Sequence, residues 1–381
     1  MKISDVTVYK VKPRWIFVKI STDEGIEGWG EMISGTKTET VVAGAYEIGN
    51  RLIGRNPFEI ERLFQEMHRS FFRGGPINGT IVSGLEMALW DIKGKAFNVP
   101  VYELLGGAAR DKIKVYSWIG GDRPSEVAEQ AQDRFDRGFT AVKMNATEEL
   151  HYINSYQKVD EVVERVASIR ERFGDAMDIG VDFHGRVHKP MAKVLAKALE
   201  PFHPMFLEEV VLPENEEHFK EVADSVAVPL ATGERLYTRW QFKNLFKQGT
   251  VDIIQPDVAL CGGILETRKI AAMAEAYDMA VAPHAPYGPV ALAATLQVDS
   301  CTPNVFIQEQ SLGIHYNKGF DLLDFVKNKE VFQYKDGYVD LPSKPGLGLE
   351  MDEDKIKEIA QEGLIWTNPQ WKNYDGTIAE W

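Results

Sequence analysis

From Lys112 onward the chain repeats one small pattern eight times, and this repetition narrows its folds more than any other feature. Each unit is a short apolar run, a polar loop and a stretch with helical apolar spacing. The runs are "IKVYS" (113–117), "TAVKM" (140–144), "DIGVDF" (178–183), "MFLEE" (205–209), "VPLATGE" (228–234), "VDIIQPD" (251–257), "MAVAPH" (279–284) and "VFIQEQ" (305–310). Helical patterns at 125–137, 159–172, 191–199, 239–248 and 263–277 lie between them. Apolar runs of this length, separated by helices, read as parallel strands. Eight such units predict a (β/α)8 TIM-type barrel of the α/β class. A doubly wound open sheet is the competing topology. It fits less well, because the units outnumber its usual strands and no Gly-rich dinucleotide fingerprint follows any run.

The flanks differ in kind. Residues 3–11 and 16–21 read as strands, and "DEGIEGWGE" (23–31) reads as a turn. Helical spacing follows at 40–53, 57–72 and 81–96, so residues 1–111 predict an α+β unit. The barrel then occupies 112–322. A polar segment, 323–381, is expected to pack back on the first unit and complete one discontinuous capping domain. The glycines of "GIEGWGE" have the wrong spacing for phosphate binding.

Composition removes several function classes. The 381 residues are 44% hydrophobic and 26% charged, ordinary for a soluble globular protein. A formal charge of −14 with no basic patch argues against nucleic acid as a partner. The N-terminus lacks the apolar core of a signal peptide, and no apolar run reaches the roughly 18 residues of a membrane span. Cys261 and Cys301 make no disulfide framework. These observations predict a soluble cytoplasmic enzyme with no membrane partner.

In such a barrel the active site forms where the strands end. Asp182, Glu208 and Glu234 fall at the ends of the third, fourth and fifth runs, at intervals of 26 residues. One barrel unit has about that length, so three carboxylates occupy equivalent places on adjacent strands. Left alone they would repel and raise one another's pKa; a hard cation such as Mg2+ among them removes the conflict. The competing reading pairs each acid with its own base, for instance Glu234 with Arg235. In "MDIGVDFHGRV" (177–187), Asp182 and His184 lie two apart and should face the same side of a strand end. His284 follows Asp257 by 27 residues, which sets an Asp–His pair across the sixth and seventh strands. A carboxylate there would fix the imidazole tautomer and raise its basicity. Lys143 and Asn145 end the second run, and Glu309 the eighth. His184 and His284, on opposite sides of the mouth, make an acid and a base. The other six histidines (His68, His151, His188, His203, His218, His315) have no such partners in sequence and read as surface or packing residues.

Beyond these positions, "APHAPYGP" (282–289), "SWIGGDRP" (117–124) and "GIHYNKG" (313–319) belong to a whole-length likeness that begins at "RWIFVKISTDEGIEGWGE" (14–31). The chain resembles the enolase superfamily in its mandelate racemase-like branch, and within it the galactonate dehydratases. The resemblance implies one Mg2+ per subunit held by Asp182, Glu208 and Glu234. It implies His184 as general acid, His284 as general base oriented by Asp257, and Glu309 as hydrogen-bonding partner of an enediolate. The implied reaction is dehydration of a small anionic sugar acid, D-galactonate, to its 2-dehydro-3-deoxy product, by C2 proton abstraction and acid-assisted loss of the 3-hydroxyl. A homo-oligomer is implied as well.

Two departures stand out. Racemase relatives carry Lys-x-Lys at the end of the second strand, whereas here Lys143 is followed two residues later by Asn145. That leaves His284 alone on its face, which suits one-way elimination rather than racemisation. Val210 stands where relatives usually carry Pro, next to the two glutamates. Substrate stereochemistry is expected to be read by cap loops around Arg14–Trp15, 33–38 and 73–78, with Asn145, Arg14 and Trp15 touching the substrate. The alternatives are a dehydratase for another aldonate or aldarate such as gluconate, a Schiff-base aldolase using Lys143, or a catalytically silent member kept for binding or structure.

Overall fold

The computed structural model describes every residue of the chain except 36, 70–72, 74, 365 and 381. The chain opens with an antiparallel meander of β1 (Ile3–Val11), β2 (Trp15–Thr22) and β3 (Glu27–Ile33). β2 is buried along nearly all its length because it is the central strand of this small sheet. Three helices follow, α1 (Thr38–Gly49), α2 (Ile60–His68) and α3 (Gly75–Phe97). The last three residues of the helical stretch read at 57–72 lie outside the described residues. α3 is buried on almost every side, since it lies between the meander and the barrel. Its close approach explains the glycines of "GIEGWGE". A Cβ on Gly28 would stand 2.1 Å from the carbonyl oxygen of Ala88, and one on Gly30 would stand 1.8 Å from that of Gly84.

After the short α4 (Val101–Leu104) comes the barrel: β4 (Lys112–Ile119), β5 (Ala141–Asn145), β6 (Asp178–Asp182), β7 (Phe206–Glu208), β8 (Leu230–Thr232), β9 (Ile253–Ile254), β10 (Ala280–Val281) and β11 (Gln308–Gln310). Each strand from β4 to β10 pairs in parallel with the next, β11 pairs with β4, and a parallel bridge from Val281 to Val305 closes the ring. Between the strands run α5 (Val127–Asp136), α6 (Tyr156–Phe173), α7 (Lys189–Leu199), α8 (Phe219–Ala223), α9 (Arg239–Gln248), α10 (Ile264–Glu275) and α11 (Pro289–Ser300).

All eight expected runs contribute a barrel strand, but from β6 onward the strands are shorter than the runs. β9 and β10 keep only two residues each. The reason is local: Pro256 and Pro283 lack the N–H that would continue the ladder, and Gly233, at φ +134°, turns the chain away after β8. Glu234, Asp257 and His284 therefore stand in loops just beyond their strands, free of the strict alternation of a sheet.

The C-terminal segment docks in two places. β12 (Tyr334–Lys335) and β13 (Tyr338–Asp340) form a hairpin whose second strand pairs antiparallel with the start of β4. Beyond it, α12 (Glu353–Ala360) lies on the meander: Tyr9 Oη and Lys19 Nζ each donate to Glu353 Oε1 at 2.8 Å. Phe325 meets Trp15 edge-on, with ring centroids 5.6 Å apart.

Two buried carboxylates tie the N-terminal unit to the barrel. Glu31 of β3 accepts the N–H groups of Gly288 (2.6 Å) and Ala291 (3.0 Å) at the start of α11. Glu86 of α3 accepts those of Ile264 (2.7 Å) and Leu265 (3.0 Å) at the start of α10. Helix N-termini carry unsatisfied donors and partial positive charge, so a carboxylate arriving from another unit satisfies both. Burial pushes Glu31 up to about 7 and Glu86 up to about 8, although the backbone N–H bonds pull both down.

A carboxyl group raised above its ordinary value of 4.5 favours the fold while protonated, so stability should fall as pH rises from about 4.5 through about 8. Thermal melts across that range should show a flatter profile for Glu86→Gln than for the parent. Glu86→Ala, which leaves the α10 donors without an acceptor, should lose on the order of 3 kcal/mol. A Glu86→Gln profile parallel to the parent would show that Glu86 ionises in the fold without penalty.

Candidate active site

The acidic cluster is built by strand register. Asp182 ends β6 and Glu208 ends β7, and the two are directly paired residues across those strands. Glu234 reaches the same place from the loop after β8. One oxygen from each of the three lies within 4.8 Å of the others. Glu208 is fully buried and both its oxygens are engaged, Oε1 by Lys143 Nζ at 2.5 Å and Oε2 by Gln255 Nε2 at 2.6 Å. Lys143 Nζ also stands 3.1 Å from Glu309 Oε1. Burial pushes Glu208 well above the usual carboxylate range, against the pull of Lys143. Glu234 goes the other way: burial would raise it, but His284, His184 and Arg235 together hold it at about 2.

Asp182, Glu208, Glu234 and Glu309 thus crowd around one buried ammonium group, with more negative charge than Lys143 can balance. Hard carboxylate oxygens converging in a buried mouth fit a divalent cation such as Mg2+. The pairing of Glu234 with Arg235 is weak by comparison. Arg235 Nε lies 3.7 Å from Glu234 and closer, 3.4 Å, to Glu209.

The two histidines are held alike. His184 does not continue β6 as the strand reading expected. Its φ of +55°, followed by Gly185 at +63°, turns the chain back at once. The turn lays the imidazole on Asp182, with Nδ1 2.8 Å from Oδ2, while the His184 backbone N–H donates to Oδ1 at 2.6 Å. Adjacency was expected from strand alternation; a left-handed turn provides it. His284 Nδ1 lies 2.7 Å from Asp257 Oδ2, and Asp257 Oδ1 accepts the Ala259 N–H at 2.7 Å. Asp257 therefore both shapes its own loop and faces the imidazole. An ionised carboxylate only accepts, so an imidazole nitrogen bonded to one carries the proton. His284 Nε2 is 3.5 Å from Glu234 Oε2 and 3.9 Å from Glu309 Oε2. Burial alone would lower the His284 pKa, but Glu234, Glu309 and Asp257 raise it to about 10 when only protein charges face it.

Glu309 is placed by the Trp118 indole N–H on Oε1 and the Ala285 N–H on Oε2. Lys143 is fully buried; desolvation would lower its pKa, but Glu208 and Glu309 raise it well above the ordinary lysine value. A lysine held charged is no nucleophile, which counts against the Schiff-base reading.

A cavity of about 420 Å³ joins these groups, lined by His184, Glu234 and His284 at one end and roofed by Arg14, Ile33 and Pro76 of the N-terminal unit. Each of the three expected cap loops contributes one of these roof residues. Asn145 lines the same space and donates to the Gly121 carbonyl at 3.3 Å. Trp15 is a correction. It is fully buried against Phe17 and Phe325 and does not line the cavity, because it opens β2 on the face that packs on Phe325, whereas Arg14 stands in the turn before the strand. His315, which the sequence did not single out, lines the cavity with Asp122 and Tyr316. Its place in the loop after Glu309 was the available signal, since loops after barrel strands build the mouth.

A barrel whose mouth combines an acidic cluster with carboxylate-backed imidazoles, under a cap joined to the barrel helices, defines a class that removes protons beside a metal-bound carboxylate. Residues 126–355 match the enolase C-terminal domain-like family, and residues 1–106 match the mandelate racemase / muconate lactonizing enzyme N-terminal domain. The chain belongs to the enolase superfamily, in its mandelate racemase-like branch. D-galactonate dehydratases from Variovorax paradoxus (strain S110) and Cronobacter sakazakii (strain ATCC BAA-894) are 51% and 50% identical to it over 382 residues, covering all of both chains in each comparison. Among solved structures, an enolase from Agrobacterium radiobacter, named as a candidate galactarate dehydratase and holding Na and L-malate, is 33% identical with a TM-score of 0.91 and full coverage of both chains. A mandelate racemase/muconate lactonizing enzyme candidate from Burkholderia SAR-1 is 37% identical, with a TM-score of 0.86 and 94% of each chain covered.

Asp257→Asn should move the base limb of the pH–rate profile to lower pH, because a neutral amide no longer stabilises the imidazolium of His284. Activity should fall about 10–100-fold with affinity for a divalent cation nearly unchanged. A lowered melting temperature with an unshifted profile would assign Asp257 to its loop alone.

Proposed function

We propose that this chain removes water from a sugar acid, D-galactonate, to give 2-dehydro-3-deoxy-D-galactonate, with Mg2+ in the cluster of Asp182, Glu208 and Glu234. One observation carries the reading: two imidazoles, each with Nδ1 engaged by its own carboxylate, share one cavity with the acidic cluster. The identity of about 50% to D-galactonate dehydratases along the whole chain supports the choice of substrate. An aldarate is the second reading, supported by the Agrobacterium radiobacter neighbour named for galactarate.

The α-proton of a carboxylate is hard to remove because a second negative charge must gather on the carboxylate oxygens. A divalent ion, when bound, would supply Lewis-acid stabilisation of that charge. His284 Nε2 takes the C2 proton, and Asp257 behind Nδ1 stabilises the imidazolium that results. The electron pair from C2–H moves first onto the carboxylate, giving an enediolate, and then forms the C2–C3 double bond as the C3–O bond breaks. Hydroxide leaves poorly, so His184 Nε2 delivers a proton to the departing oxygen and water is released. The enol then takes a proton at C3 and gives up its 2-hydroxyl proton, becoming the 2-keto acid. Glu309, anchored by Trp118 and Ala285, is assigned to the oxygens that gain charge. Asn145 and Arg14 are assigned to substrate contacts, and Trp15 is not. Contacts of Glu353 and Phe325 with the meander support reading 1–111 and 323–381 as one cap over a barrel of 112–322. Cys261 and Cys301 are both free and buried, which supports a reducing compartment.

Chelation should abolish turnover and Mg2+ should restore it. Glu234→Gln should weaken Mg2+ binding measured by calorimetry. Full activity in excess chelator would exclude the metal. A panel of aldonates and aldarates assayed for 2-keto acid formation should show D-galactonate preferred. In 2H2O, His284→Asn should stop both elimination and C2 exchange. His184→Asn should stop elimination while leaving C2 abstraction intact. Exchange in the His284 variant with none in the His184 variant would reverse the two roles.

A further inference from the structure

The cavity that holds the reacting groups also carries a second polar cluster that the mechanism does not use. Asp122 enters from the loop after β4, His315 and Tyr316 from the loop after β11, and these two strands are neighbours where the barrel closes. All three residues line the same cavity as Glu234, His184 and His284.

Asp122 is fixed from several sides. Arg186, itself 2% exposed, donates through Nη1 to the Asp122 carbonyl at 2.6 Å and to the Thr147 carbonyl at 3.1 Å, and its Nη2 lies 3.3 Å from Asp122 Oδ1. Tyr316 Oη donates to the same Oδ1. Oδ2 faces His315 Nε2 at 3.2 Å. The His315 ring leans on the Tyr316 ring with centroids 3.9 Å apart, and the Arg14 guanidinium lies over that ring at 4.8 Å. Burial would raise the Asp122 pKa, but His315, Tyr316 and Arg186 hold it below the ordinary carboxylate value.

We infer that Asp122, His315 and Tyr316 form a sugar-end subsite that binds the hydroxyls beyond C3 of a polyhydroxy acid. The inference rests on the dehydratase reading above and adds the residues that read substrate length. A substrate whose carboxylate sits at the acidic cluster, and whose C2 and C3 lie between the two imidazoles, has its remaining carbons in the same cavity, where these three residues offer polar groups. Each carboxylate oxygen offers about two acceptor positions. Oδ1 takes both Tyr316 and Arg186, whereas Oδ2 takes His315 and keeps a place for a sugar O–H. The imidazole beside it serves a hydroxyl as donor or acceptor. A rigid acceptor held by a buried arginine recognises a hydroxyl selectively, because a substrate lacking it leaves the polar groups unpaired.

The test compares two acids of the same C2 and C3 configuration, six-carbon D-galactonate and a four-carbon trihydroxy acid, with Mg2+ present. For each, kcat/KM and the dissociation constant are measured on the parent, Asp122→Asn and Tyr316→Phe, with melting temperatures taken alongside. The six-carbon acid should lose about 10–100-fold more kcat/KM than the four-carbon acid in Asp122→Asn, chiefly through KM. Tyr316→Phe, which frees Oδ1 but keeps the ring under Arg14, should shift the same ratio in the same direction. Equal losses on both acids, or no loss on the six-carbon acid, would overturn the subsite and leave Asp122 a loop fastener. If the parent dehydrates neither acid, the proposed activity fails, and the ratio of dissociation constants decides the subsite by itself.

Discussion

Negative charge gathered in a dry barrel mouth is the constraint around which this structure is arranged. Asp182, Glu208, Glu234 and Glu309 approach one another largely out of solvent, and Lys143, fully buried, stands against Glu208 and Glu309. Burial and mutual repulsion both favour protonation of such a group, and only cations reverse that preference. Glu208 shows how tightly the protein controls the outcome. An ammonium on one oxygen and an amide on the other leave it little freedom, so the cluster keeps its shape instead of collapsing into separate ion pairs. The histidines answer the same field. Glu234 is held ionised partly by His284 and His184, and His284 is raised partly by Glu234.

Backbone strain accompanies this arrangement. His184 at φ +55° and Glu209 at φ +46° occupy a left-handed region that side chains with a Cβ seldom adopt. They stand within two residues of the ends of β6 and β7, and both pull a side chain toward its neighbours. His184 folds back onto Asp182, while Glu209 turns to accept Thr232 Oγ1 at 2.6 Å. Strain held in place by so many surrounding contacts persists at working sites because orientation matters there more than local comfort.

The cap contributes differently. Glu31 and Glu86 cross from the N-terminal unit to the first turns of α11 and α10, and the glycines opposite them leave no room for a side chain. These bonds fix the roof residues Arg14, Ile33 and Pro76 over a mouth built from a different part of the chain. The C-terminal segment joins the same assembly: Arg14 lies over Tyr287 and Tyr316 of the barrel loops and Trp366 of the tail, at 5.4, 4.8 and 5.8 Å. One guanidinium thus meets both remaining parts of the structure, and the cavity wall beside it depends on their being docked.

Periodicity along the chain was enough to determine the barrel and to bring three of its acids together. Asp182, Glu208 and Glu234 were legible because barrel units are of similar length, so equal spacing becomes equal position on adjacent strands. The Asp257–His284 pair followed by the same reasoning. Where the chain leaves its strands, that reasoning stops. The turn that lays His184 on Asp182 is a matter of backbone dihedrals, and the burial of Trp15 depends on which face of β2 meets Phe325. Gln255 behind Glu208, Glu31 and Glu86 at the helix starts, and Asp122 with His315 across the closing strands are contacts between residues far apart in sequence. No local pattern encodes them, because hydrogen bonds and burial depend on distance in space, and only the packed structure sets that distance.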